Sequence, residues 1–79
     1  MQNSSAYKQI SVEKTSEYEI YFYILHEYLK ENNIVLSNKS FVLNEVNADY
    51  LILDHFLKSV WIPKSQIKRE YINNKANLK

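Results

Sequence analysis

Along one stretch of the chain, Tyr18, Tyr21, Phe22, Leu25, Tyr28 and Leu29 recur at steps of three and four residues. That spacing lays them on one face of a helix. Ser16 and Glu19 fit a capping box, in which hydroxyl and carboxylate satisfy each other's orphan backbone N–H groups, and Lys30 to Asn33 supply an end signal. The pattern predicts a helix over Ser16–Asn32. Ile20, Tyr23 and Ile24 widen its apolar face, so the helix would be buried on more than one side or would present surface to a partner. The eight residues Tyr18 to Leu25 are also rich in strand formers, which makes a strand the competing reading.

Elsewhere the pattern shortens to alternation. Tyr7, Gln9 and Ser11 alternate with Lys8, Ile10 and Val12, as in a short first strand. Ile34–Leu36 and Phe41–Val46 flank Ser37-Asn38-Lys39-Ser40, which reads as a hairpin with Asn38 at the φ > 0 position; Asn47-Ala48-Asp49 is the next turn. Tyr50–Phe56 and Ser59–Ile62 form a second hairpin around Leu57 and Lys58. Neither of those two takes φ > 0 readily, so a longer or bulged turn is expected. Pro63 cannot donate to a ladder and must stand at a strand end or edge. Ser65 would then cap a short C-terminal helix with Ile67 and Tyr71 on one side, ending at Asn73 and Asn74. The expected fold is α+β: one main helix packed on a small antiparallel sheet, with a short C-terminal helix, in a single domain over residues 1–79 whose ends, 1–5 and 75–79, are flexible.

The segment Trp61-Ile62-Pro63-Lys64-Ser65-Gln66-Ile67, behind a short strand, resembles one found in small uncharacterised proteins of bacteriophages and prophages. The likeness runs from Ala48 to Ile67. Such relatives carry a Gly-containing turn before the Trp, whereas this chain has no Gly. The resemblance implies a mobile-element origin, action in the host cytoplasm and no defined reaction. Trp61 itself reads first as an ordinary strand-end residue filling a small core, and otherwise as an exposed anchor for a partner.

Composition removes several chemistries. Without Cys there are no disulfides or thiolate metal sites, and without Gly the phosphate-cradling loops of nucleotide enzymes cannot form. The apolar-rich stretch Ile20 to Leu29 falls well below the roughly 20 residues of a membrane span, which favours a cytoplasmic protein with no membrane association. His26 and His55 match no metal spacing, the serines lack a nucleophile elbow, and Glu27 with Glu31 reads as a solvated face. No enzyme, metal or cofactor is expected.

Charge is near balance at +1 but unevenly spread. Residues 1–57 carry Lys8, Lys14, Lys30 and Lys39 against eight carboxylates, whereas residues 58–79 carry five Lys and Arg69 against Glu70 alone. Two partner classes follow. With seven Tyr, a protein-binding module is the first, and the phage-like resemblance extends it to an inhibitor of a bacterial defence nucleoprotein complex, an anti-CRISPR-like protein. Glu13, Glu17, Glu27 and Glu31, with Tyr21 and Tyr28, would then form its protein-binding surface. The second class is nucleic acid, bound by Lys58, Trp61, Lys64, Lys68, Arg69 and Tyr71, where positive charge is interleaved with aromatic rings. A homodimer through the wide helix face is a further expectation.

Overall fold

A computed structural model gives the structure of residues 6–77. Its elements are β1 (Tyr7–Lys14), β2 (Tyr18–Leu25), α1 (His26–Glu31), β3 (Val42–Glu45), β4 (Asp49–Leu53), β5 (Ser59–Pro63) and β6 (Ile67–Asn73), with 3-10 turns at Lys64–Gln66 and Asn74–Asn77. The strands form two antiparallel sheets, ordered β1-β2-β6 and β3-β4-β5.

The architecture is therefore mostly β, and the expected α+β fold with one main helix on a sheet is overturned. Tyr18–Leu25 is a strand, and only His26–Glu31 is helical. The decisive property is alternation: Phe22 and Ile24 are buried on one face, while Tyr21 and Tyr23 stand on the other. Apolar groups on all sides would leave an isolated helix badly exposed, whereas a central strand uses both faces. The expected capping box does not form. Instead the Thr15 hydroxyl accepts hydrogen bonds from the backbone N–H groups of Glu17 (3.1 Å) and Tyr18 (3.0 Å) and closes the β1–β2 hairpin.

The expected C-terminal helix is a strand as well, since β6 pairs along β2 from Ile67↔Ile24 to Tyr18↔Asn73. Pro63 does end β5, and one 3-10 turn carries the chain from the second sheet to the first. Ile34–Leu36 makes no strand, and Ser37–Ser40 is a tight turn beside β3. Among the described residues the positive-φ positions are Asn33 (φ 55) and Leu57 (φ 65), not Asn38. The expectation of flexible ends falls on residues 1–5 and 78–79 outside the described residues; Asn74–Asn77 forms its 3-10 turn.

One apolar core joins the sheets. Ile10, Phe22 and Ile24 of the first sheet meet Ile52 and Ile62 of the second, with Leu29 of α1 and Leu36 of the following loop closing the cluster. The rings of Phe22 and Tyr50 touch across the gap at a centroid distance of 4.6 Å. A domain of this length has about 4–12 kcal/mol of stability in total, so each large core residue carries a sizeable share. Phe22→Ala is expected to cost about 3–5 kcal/mol, enough to leave much of the protein unfolded, whereas Trp61→Ala is expected to cost far less; urea titration followed by circular dichroism compares them.

Candidate protein-binding surface

The β4–β5 hairpin presents the surface that most needs explaining. Tyr50 and Ile52 face the core, and their partners across the ladder, Ile62 and Val60, do the same. The intervening residues Leu51, Leu53 and Trp61 therefore lie on the outer face, with Leu51 directly opposite Trp61. On β3 the register slips between Val42 and Asn44, so Leu43 and Asn44 together oppose Leu51. Phe41 continues the outer face, its carbonyl accepting a 2.9 Å bond from the N–H of Leu53.

The consequence is an aliphatic and aromatic sheet face in solvent. Phe41, Leu43 and Trp61 keep 47%, 45% and 46% of their surface accessible among the described residues. Trp61 is thus not the core filler expected of it; Ile62 takes that role at 0% exposure.

The tip of the same hairpin adds two more apolar groups. Asp54 builds the turn: its buried Oδ1 accepts the N–H groups of Phe56 and Lys58, each at 2.8 Å, and its own N–H reaches the Lys58 carbonyl at 2.7 Å. This places Leu57 in the left-handed region and leaves Phe56 and Leu57 61% and 77% exposed. A branched apolar residue gains nothing from that conformation, which costs about 1–2 kcal/mol relative to the right-handed one.

The first sheet's outer face is finished differently. Tyr23 donates from its hydroxyl to Glu70 (2.6 Å) and accepts from Gln9 Nε2 (3.0 Å). Tyr21 donates to Glu19, which also accepts from Asn74 Nδ2 at 3.0 Å, and Lys68 lies 5.0 Å from the centre of the Tyr7 ring. Hydrogen bonding to Glu70 holds the Tyr23 phenol above its ordinary value, Glu19 does the same for Tyr21, and Glu13 does so for Tyr18. The bonds from Tyr21 and Asn74 hold the Glu19 carboxyl below its ordinary value.

The residues singled out in the sequence do not gather on one face. Glu13 lies next to the last residue of β1 and accepts from the Tyr18 hydroxyl (2.6 Å), and Glu17 lies in the β1–β2 turn. Glu27 and Glu31 sit on α1, beyond the opposite end of β2, about 25 Å of strand away. Tyr21 belongs to the hydrogen-bonded outer face, and Tyr28 packs against the core.

The basic set is divided likewise. Lys58 and Trp61 belong to the second sheet, and Lys64 is paired with Glu45 at 2.6 Å over the Tyr50 ring. Lys68 lies on the first sheet's outer face, while Arg69 and Tyr71 share the opposite face, where Tyr71 stacks on Tyr18 at 5.5 Å. Among the described residues no three His, Asp or Glu come together as a metal site, and no helix is long and apolar enough to cross a membrane.

Phe41, Leu43, Phe56 and Leu57 were not candidates from sequence. The available signal was the run Tyr50-Leu51-Ile52-Leu53, apolar on both strand faces, which calls for cover on both. In comparisons with known proteins, no family model, curated protein or solved structure matches the chain.

Two predictions follow from this geometry. Leu57→Gly is expected to raise stability by about 0.5–1 kcal/mol, because glycine adopts the left-handed backbone freely and the lost side chain was largely exposed; a stability equal to or below that of the unaltered protein would contradict the strain. The raised phenols stabilise the fold below their ordinary ionisation near pH 10, and that contribution is lost as pH rises through their folded values. Glu19 contributes above its ordinary value, and its share is lost as pH falls through the lowered one. Phenolate absorbance should show late-ionising tyrosines, with one fewer in Tyr23→Phe.

Proposed function

We propose that the chain is a small non-enzymatic protein-binding module that docks through the outer face of the β3-β4-β5 sheet. The single observation that carries this reading is the apolar face bearing Phe41, Leu43 and Trp61, extended by Phe56 and Leu57 at the hairpin tip. Exposed apolar groups of this size, set on a rigid sheet, suit a partner with a complementary apolar patch. Three strands of four to five residues offer a footprint of about 15 by 17 Å. That is the centre of an interface, and the charged groups around it would form the rim.

For the class of target, the phage-like resemblance is the available guide: an inhibitor of a bacterial defence complex acting inside the host cell. The route to that target differs from acidic mimicry, since Glu13 and Glu17 stand at one end of β2 and Glu27 and Glu31 at the other. Nucleic acid is the weaker reading because its six basic and aromatic candidates point to different faces. A dimer through a long helix loses its basis in a six-residue α1.

The test is capture from nuclease-treated bacterial lysate, followed by binding of the purified partner. Trp61→Ser with Phe41→Ser should reduce affinity at least 100-fold while circular dichroism shows the fold retained, and charge reversal of the four glutamates should change it little. Equal binding by the Trp61/Phe41 variant, or capture lost on nuclease treatment, would refute the proposal. Light scattering that shows a stable dimer, with Trp61 emission shifted on dimerisation, would instead assign the face to a second copy.

A further inference from the structure

A cleft of about 300 Å³ opens between the start of β1, α1 and the loop that follows it. Leu29, Ile34 and Leu36 make its apolar floor, with Val35 at the margin. Its basic groups come from two elements. His26 and Lys30 are four residues apart on α1 and so share a helix side, while Lys8 reaches the cleft from β1, where it pairs with Ile24.

The walls are fixed by backbone bonds. The left-handed Asn33 turns the chain back, Ile34 N–H donates to the Leu29 carbonyl at 2.8 Å, and the Val35 carbonyl accepts from His55 N–H at 2.6 Å. The loop is thereby tied to α1 on one side and to the second sheet on the other.

The charge of the lining is the informative feature. Residues 1–57 hold twice as many carboxylates as lysines, yet two of those four lysines line this cleft and no carboxylate does. The ion pair found among the described residues is Lys64–Glu45, which leaves Lys8 and Lys30 without a carboxylate partner. An anion seated in the cleft would meet positive charge from β1 and from α1 and no carboxylate in the lining.

We infer that this cleft binds a small amphipathic anion, an apolar body of modest size ending in one carboxylate. The volume lies at the lower limit of ligand pockets and corresponds to roughly ten waters of liquid, which suits about 10–15 non-hydrogen atoms and excludes a nucleotide triphosphate. The apolar floor takes the hydrocarbon, and Lys8, Lys30 and the His26 ring hold the charged end. The site shares no residue with the outer face of the β3-β4-β5 sheet and stands or falls apart from it.

Octanoate is a suitable probe, followed by amide chemical shifts of isotope-labelled protein, with octanol and inorganic phosphate in parallel. Octanoate should give saturable shifts at Lys8, Leu29, Lys30 and Leu36. Octanol and phosphate should each bind at least 10-fold more weakly, because each lacks one half of the recognition. Lys8→Gln with Lys30→Gln should weaken octanoate at least 10-fold while the dispersed spectrum of the folded protein is kept. Equal affinity for octanol, equal affinity for phosphate, shifts centred on Trp61, or an unchanged affinity in the lysine variant would each overturn the assignment.

Discussion

Burial of the inner face of β2 against that of β4 is the constraint on which the molecule depends. Phe22, Ile24, Ile52 and Ile62 are almost fully withdrawn from water, and the Phe22–Tyr50 contact locks the two sheets face to face. A chain of this length has no third layer with which to cover the outer sides, so each sheet must meet solvent with its other face. The two sheets do so in opposite ways. On the first, tyrosine rings end in hydroxyls that find Glu19, Glu70 and Gln9, so their polar ends are hydrogen-bonded. On the second, Phe41, Leu43 and Trp61 have no such finish. That contrast within one small protein sets the second face apart from the first.

The absence of glycine sharpens the reading of the turns. Thr15 closes one hairpin through its hydroxyl, Ser40 Oγ accepts the N–H of Ser37 in another turn, and Asp54 organises a third through its carboxylate. Where left-handed backbone is required after α1, Asn33 supplies it at modest cost. Leu57 is different, since asparagine would satisfy the same backbone and this chain uses asparagine freely elsewhere. Leu57 thus combines a strained backbone with an exposed apolar side chain, as the proposed docking face requires of its tip.

Much of the second sheet was legible from sequence, because Val60, Ile62 and Pro63 leave few alternatives to a strand that ends at the proline. The first strand was legible from the alternation of Tyr7, Gln9 and Ser11 with Lys8, Ile10 and Val12. β2 was misread because a step of four residues satisfies both periods: Tyr18 to Phe22 and Tyr21 to Leu25 are each aligned on a helix and on a strand alike. Only the steps of three, Tyr18 to Tyr21 and Phe22 to Leu25, separate the two readings, and in the strand each crosses from one face to the other. Ile67 and Tyr71 carry the same ambiguity in β6, where they share a side as strand residues. The site residues were harder to place, since which lysine meets which glutamate is set by pairing between distant segments, and nothing local encodes it.

That pairing also dissolves the division into an acidic body and a basic tail. β6 inserts beside β2, so Lys68 and Arg69 stand next to Tyr23 and Phe22, and the N–H of Lys75 donates to the Glu17 carbonyl at 3.1 Å. Charges separated along the chain are thereby brought side by side along the β2–β6 pair. Mixing is incomplete at one place, the cleft that draws on Lys8 and Lys30, where the acidic half of the sequence presents only positive charge. The fold that cancels the sequence's large-scale asymmetry leaves this smaller local one, and a local excess over an apolar floor selects for an anion with an apolar body where a broad basic surface would select for a polyanion.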